Sequence, residues 1–366
     1  MESENRSILL VASRFQARGS SSYTLRLAER LAEHGFDAHI ICPDAKMIPD
    51  GLRSQLCISE FGLLDTSLVR PLSVALTARD VGPFDAQLVH VQSRAALPFG
   101  LPLARKLGLP CVMTVHDYLS RWETVPNDPI LIRKVIAVSE SVRDDLVDRG
   151  GASRRLVEVI HNGVTIPELG DNSDVLDGKR VPVIGTAGAL ELAKGVSFFL
   201  DAARIVLDAG HDVEFLVAGS GPEEHALRTQ ARKLKLSEHM TFVPNLPEFQ
   251  SSLRAMDIFC LPALVQGLGT VMLEAMSYAR PVITTGVGGV SAIVTDDQTA
   301  LAVPPSDSKA LAQRIIELLD DPVRARAIGN AGRQRVIESF SADKMVTLTA
   351  AIYEQILEES LAATIA

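Results

Sequence analysis

The chain has 366 residues, 47% of them hydrophobic but only 5% aromatic, and a formal net charge of −9. That length exceeds what one hydrophobic core serves, so two domains are expected. An apolar content built from Val, Ile, Leu and Ala suits helices packed on parallel strands, and the acidic balance excludes a general nucleic-acid binder, which needs clustered Lys and Arg.

The four cysteines, Cys42, Cys57, Cys111 and Cys260, show no CxxC pairing, so neither a disulfide framework nor a zinc site is expected. The apolar run from Ile8 to Ala12 is too short for a signal h-region or a membrane span. A reduced, cytoplasmic protein is expected, with peripheral contact at the inner face of the membrane left open. Arg94, Arg105 and Lys106 lie near apolar Leu97, Phe99 and Leu101, a segment that reads equally well as a helix packed on a sheet.

In chain order, Ser7 to Ala12 reads as a buried strand, followed by the loop SRFQARGSSS and a helix with Tyr23, Leu27 and Leu31 on one stripe. Gly19 and the serines of that loop can present N–H groups and hydroxyls to a ligand, or simply cap the helix. Strand-like runs recur at 38–42, 87–91, 111–115, 135–138 and 157–160, with helical segments at 95–107 and 139–148 between them. This alternation predicts a doubly wound parallel sheet, in which ligands bind beyond the carboxyl ends of the strands, where Arg18, Gly19, His90, His116 and Asp117 fall. His116 directly follows the apolar run CVMTV, whereas His34, His39, His211, His225 and His239 read as surface or element-edge residues.

The stretch from Thr165 to Arg180 is rich in Gly, Pro, Asp and Asn and reads as a linker. From Val181 the alternation restarts: VPVIGTAG, a helix over 196–209, EFLVAGSGPE, a helix to Leu236, a strand over 239–243, and DIFCLP. Lys194 and Gly195 precede a helix, where an ammonium can sit near phosphate. The loop from Gly219 to Pro222 gives another close backbone approach at the same sheet edge. Then comes PALVQGLGTVMLEAMSYARPVITTGVGG, a ligand loop feeding a helix: Gly267 and Gly269 lead into Thr270, a helix start that favours phosphate, and Glu274 lies a turn inside, within reach of sugar hydroxyls. A plain βα connection has the same outline. Helices over 308–319, 323–338 and 343–361 end the chain, the last long enough to cross back to the first domain.

Taken together, GALELAKG, AGSGPE, DIFCLPALVQGLGTVMLEAM, RPVITTGVGGV and LAVPPSD, preceded by RGSSSYTLRLAERLAEHGFDAHII, TVHD, AVSESVRDDL and VIHNGV, resemble the family 4 (group 1) glycosyltransferases over nearly the whole chain. The resemblance implies the α/β GT-B fold: two Rossmann-like doubly wound domains facing across a cleft. An acceptor-binding domain would span 1–165 with 343–366 packed back on it, a linker 166–180, and a nucleotide-sugar-binding domain 181–342. It also implies retaining, metal-independent transfer of a sugar from a UDP-, GDP- or ADP-linked donor to a sugar, lipid-linked or small-molecule acceptor, without a further cofactor. By the same resemblance Glu274 binds the nucleotide ribose, Lys194 neutralises the leaving diphosphate, and Gly269 and Thr270 offer N–H groups to phosphate or sugar. Gly19 lies in a loop that closes over the donor, and His116 stands beside the reacting sugar.

Two positions depart from the family pattern. Gln266 stands where the first of two glutamates eight residues apart is expected, so an amide replaces a charge among the donor-binding residues, and Ala189 replaces an arginine five residues before the lysine. A catalytically impaired relative that binds nucleotide sugar or a partner, and an epimerase or phosphorylase on the same plan, are the alternatives.

Overall fold

The computed structural model describes residues 5–15, 19–126, 128–169, 175–244 and 249–365. The chain forms two compact units: the first runs to Gly163, the second spans Val164–Ser341, and the chain returns to the first at Ala342.

Seven strands build the first unit: β1 (Arg6–Val11), β2 (Phe36–Cys42), β3 (Cys57–Glu60), β4 (Leu88–Val91), β5 (Cys111–Val115), β6 (Ile132–Ala137) and β7 (Val157–Val159). They pair in parallel in the order β3-β2-β1-β4-β5-β6-β7, with Ile8 of β1 beside both Ala38 and Leu88. The order reverses between β1 and β4, which places a crevice at their carboxyl ends. Strands buried on both faces need near-continuous apolar runs, and the ILLV and LVHV segments are fully buried. The final helix, Ala342–Ile365, adds Val346, Ala350, Tyr353 and Leu357 to the core formed by Ile8, Leu10, Tyr23 and Leu27.

The second unit carries β8 (Val183–Ala187), β9 (Glu214–Ala218), β10 (Met240–Val243), β11 (Ile258–Leu261), β12 (Val282–Thr285) and β13 (Leu301–Val303), all parallel in the order β10-β9-β8-β11-β12-β13. Here the reversal lies between β8 and β11. Helix Val196–Asp208 packs against Ser308–Asp320, burying Phe199, Leu200, Ala203 and Val206. Local signals fix the helix starts: Asp307 accepts from the Ala310 N–H at 2.9 Å, and Asp321 accepts from the Arg324 N–H ahead of a helix whose first residue is Pro322. In the segment read as a linker, Val175 and Leu176 are buried in this unit's core, while residues 170–174 lie outside the described residues. Buried Asp257 fastens that segment, accepting from the Leu176 and Val183 N–H groups at 3.1 and 2.8 Å and pairing with Arg180 at 2.7 Å.

Among the described residues, the elements that the sequence reading does not place include β3, β12, β13, the short helix Asp50–Arg53, helix Arg70–Val81 and helix Phe249–Ala255. β3 is a half-exposed edge strand of four residues, and the 70–81 helix leaves Leu72 63% exposed, so neither shows a clean periodicity. His39, read as a surface or edge residue, is 2% exposed within β2, with Nε2 2.9 Å from Ser59 Oγ. In the helix Leu97–Leu107, Phe99 and Leu103 are buried, and a Cβ at Gly100 would lie 2.7 Å from Val91 Cγ2, so this face is spent on the sheet. Among the described residues no helix is long and apolar enough to cross a membrane.

Burial pushes His39 down from 6.5 to about 4. A histidine whose folded pKa lies below its unfolded value contributes stability that is complete above pH 6.5 and is lost as pH falls toward the folded pKa. Between pH 7 and pH 5 the parent is therefore expected to lose on the order of 2 kcal/mol more than a His39→Gln variant. Urea midpoints at the two pH values measure this, and equal losses in both proteins would refute it.

Candidate active site

Four loops leave the carboxyl ends of β8, β9, β11 and β12 and are joined backbone to backbone. The Gly188 N–H donates to Ala218 O at 2.9 Å, and a Cβ on Gly219 would sit 1.9 Å from Gly188 O. The Leu190 N–H donates to Ser220 O at 2.9 Å. Ala193 O accepts from both the Leu264 and Val265 N–H groups, at 2.8 and 3.1 Å. Gly195 has φ +63°, and a Cβ there would lie 2.0 Å from Pro262 O. The Gly289 N–H reaches Gly267 O at 3.1 Å, and Thr285 Oγ1 donates to Ala263 O at 2.5 Å. These approaches are closer than any Cβ permits, which is why glycine occupies them.

This stitching brings together residues that lie far apart in sequence. Lys194 Nζ donates to Gln266 Oε1 at 2.8 Å, and both side chains are half-buried. A few residues on, Gly269 takes φ +97° at the N-cap of helix Thr270–Ser277, and Glu274 lies half-buried one turn inside. Gly219 belongs to the same edge through its contact with Gly188. Because an amide carries no charge, Gln266 sets no countercharge against the Lys194 ammonium, and the helix start adds a partial positive end close by. The pair suits a diphosphate. Ala189, half-buried in the same loop, contributes no cation. After β10 the chain is described at Pro244, and residues 245–248 lie outside the described residues. A cavity of about 590 Å³ lined by Arg204, His211, Lys235 and His239 opens at the amino ends of β9 and β10, the edge opposite these loops.

In the first unit, Gly19 begins the helix Gly19–Arg30; Arg18 lies outside the described residues. His116 follows the last residue of β5. Its Nε2 is 3.0 Å from Gln92 O, and because a carbonyl only accepts, Nε2 carries the proton. Nδ1 is left as the acceptor, 3.5 Å from Asn162 Nδ2, and the Tyr23 ring stands edge-on at 5.1 Å. Burial lowers the His116 pKa, which the Asp117 charge and the Gln92 carbonyl partly restore and the nearby Arg94 lowers again, so the imidazole is neutral at pH 7. His90, also expected at the ligand edge, is instead enclosed: Nδ1 lies 2.5 Å from Tyr353 Oη and Nε2 2.8 Å from Thr114 Oγ1, and burial pushes its pKa down to about 3. It faces inward because it lies within β4 rather than past its end. The sequence places Tyr23 only on a helix stripe and assigns no site role to Gln92 or Asn162, although Gln92 carries a readable mark, a polar residue just past the buried strand β4.

Two doubly wound parallel sheets, the second with a lysine and a helix start at its switch point, define a two-domain α/β enzyme class that handles nucleotides. Within that class the model for glycosyl transferases group 1 matches residues 173–335, and that for glycosyltransferase family 4 matches residues 17–166. The glycogen synthase of Mycobacterium tuberculosis is 30% identical over 288 residues, 73% of this chain and 68% of that protein. The chain belongs to the group 1, family 4 glycosyltransferases, enzymes that move a sugar from a nucleotide sugar. The 2-deoxystreptamine glucosyltransferase of Streptomyces kanamyceticus is 26% identical over 81% of this chain and 84% of its own length. Among solved structures, Anabaena HepE in complex with UDP and glucose superposes with a TM-score of 0.80 over 96% of this chain and all of that one at 18% identity. A glycosyltransferase of Rickettsia africae does so at 0.79, covering 96% and 99%, at 21% identity. These likenesses show the GT-B fold.

Gly195→Ala is expected to destabilise the protein by at least about 1 kcal/mol, since it adds a Cβ against Pro262 O at a positive φ. An unchanged denaturation midpoint would contradict that backbone contact. For His116, ¹⁵N NMR at pH 7 is expected to show the neutral ring protonated at Nε2; a charged ring, or one protonated at Nδ1, would contradict the assigned geometry.

Proposed function

We propose a retaining, metal-independent transfer in which the second unit binds the nucleotide sugar and the first holds the acceptor. The observation that carries this reading is the Lys194–Gln266 contact at 2.8 Å, on a loop running straight into the helix that bears Glu274. Lys194 and the Gly269–Thr270 helix start bind the diphosphate, Glu274 accepts hydrogen bonds from the ribose hydroxyls, and Gln266 hydrogen-bonds the donor sugar. Gly219 lets the neighbouring loop come close to the donor, and Gly19, at the start of its helix, offers a backbone N–H to it.

As the bond from the anomeric carbon to phosphate breaks, its electron pair passes to the departing diphosphate oxygen. Lys194 stabilises that charge, and its stabilisation grows as the charge develops. The acceptor hydroxyl oxygen bonds to the anomeric carbon on the face the diphosphate leaves, and its proton goes to a phosphate oxygen. No side chain is assigned as nucleophile. His116, neutral and held by Gln92 and Asn162, offers hydrogen bonding beside the sugar rather than charge.

For the donor base, a GDP-mannose-dependent mannosyltransferase of Corynebacterium glutamicum, 38% identical over 45% of each chain, and HepE with its bound UDP make GDP and UDP the first candidates, with ADP as the third. Relatives named for transfer to 2-deoxystreptamine and to a phosphatidylinositol monomannoside support a small-molecule or lipid-linked acceptor.

Thermal-shift titration tests the donor site. One of UDP, GDP or ADP at a hundred times its Kd is expected to stabilise by about 2.7 kcal/mol, a rise of several degrees. Glu274→Ala is expected to abolish the shift, and Lys194→Ala to lower kcat about a hundredfold or more. No shift with any of the three at millimolar concentration would sink the donor assignment.

A further inference from the structure

The first unit holds a feature that the donor chemistry leaves unused. Trp122 is the only tryptophan of the chain and is 86% exposed, although a large aromatic side chain ordinarily repays burial. Its loop is not loose. On one side Leu119 is buried and its N–H donates to Asp145 Oδ2 at 2.7 Å, while Arg149 donates to Leu119 O at 3.1 Å. On the other side Val125 is buried and its N–H donates to Gly150 O at 3.1 Å. Gly150 receives both: a Cβ there would lie 2.6 Å from Leu119 Cδ1 and 3.0 Å from Val125 Cγ2. Between these anchors the Glu123 N–H closes a turn onto Ser120 O at 3.0 Å. The indole therefore stands at the crest of a turn whose backbone is fixed at both feet.

The crest is tied to the catalytic edge. The loop starts at the carboxyl end of β5, immediately after His116. Arg94, whose charge acts on His116, donates to Tyr118 O at 2.8 Å and pairs with Glu123. Arg121 places its guanidinium 5.2 Å from the centre of the Trp122 ring. One face of the indole thus has a cationic neighbour, while the ring remains open to solvent.

We propose that Trp122 is a stacking platform for a pyranose or cyclitol ring of the acceptor, held beside His116 by the pinned loop. The proposal rests on the reading of the first unit as acceptor-binding and deepens it. The axial C–H groups of such a ring form an apolar face that matches an indole, and the ring's hydroxyls can reach Arg121 or solvent at its rim. A rigid platform loses little entropy on binding, so an exposed ring on a fixed loop gains affinity that a mobile one would lose.

The single tryptophan makes the test direct, because selectively excited emission reports Trp122 alone. With saturating nucleotide present, methyl α-glucoside, methyl α-mannoside, maltose and myo-inositol are titrated in millimolar steps. At least one is expected to give a saturable blue shift of emission, and nucleotide alone none. A sugar that raises the melting temperature or accepts a glycosyl group without changing the emission leaves the acceptor-binding reading intact and overturns the platform. Emission that shifts with phospholipid vesicles and with no sugar overturns it too, in favour of a membrane contact. In parallel, Trp122→Ala is expected to raise the acceptor KM at least tenfold with kcat and the nucleotide shift unchanged, and Trp122→Phe to restore most of the loss. An unchanged acceptor KM in Trp122→Ala counts against the proposal.

Discussion

The second unit depends on backbone meeting backbone. Where Gly195 passes Pro262 and Gly219 passes Gly188, the chains approach more closely than any side chain allows, and Ala193 O closes the seam by accepting two N–H groups. Such contacts tie the loop after β8 to those after β9 and β11, and a short tie leaves few conformations. Lys194 therefore reaches Gln266 by construction rather than by the chance meeting of two long side chains, whose ordering would otherwise cost a large share of the contact's worth. Preorganisation of this kind is what electrostatic stabilisation of a leaving group requires.

The first unit reaches a similar rigidity by other means. Its ligand edge is fixed by side chains: His116 by Gln92 O and Asn162, the 117–126 loop by Asp145, Arg149 and Arg94. Beneath them, His90 joins Tyr353 of the final helix to Thr114 of β5, so the returning helix supports the central strands with a buried polar link as well as with Val346 and Leu357. A buried polar chain of this sort holds one arrangement because each alternative leaves a group unsatisfied.

Much of this was legible before the structure. Apolar runs at regular spacing announced both sheets, and glycine before a helix marked the loops after β8, β9 and β11. Elements without periodicity were not legible: β3 is a half-exposed edge, and the 70–81 helix leaves apolar residues in water. Nor could spacing tell what the glycines were for, since the steric demand at Gly195 comes from Pro262, 67 positions away. The two histidines show how fine the distinction can be. His90 and His116 both sit near the end of an apolar run. His90 precedes the last residue of its strand and turns into the core, whereas His116 follows the last residue of its own and meets the edge.

Gln266 looks like a loss when only the family pattern is considered, and the geometry changes its meaning. A glutamate at that position would set a carboxylate against Lys194, an attraction of roughly 4 kcal/mol at 4 Å in a medium of effective dielectric near 20, and less for half-exposed groups. An incoming diphosphate would have to compete with that attraction. An amide offers a hydrogen bond to the ammonium worth about 1.5–3 kcal/mol, and it holds the ammonium in place without setting a countercharge against it. Lys194 is thus positioned without a neighbouring countercharge, which in the proposed transfer would favour the anion that forms as the sugar departs. The cost falls elsewhere, because an amide cannot stabilise positive charge at the anomeric carbon as a carboxylate does. In the proposed transfer, binding of the departing diphosphate would gain where support of the sugar cation is given up, and the stitched loops hold the lysine beside Gln266 throughout.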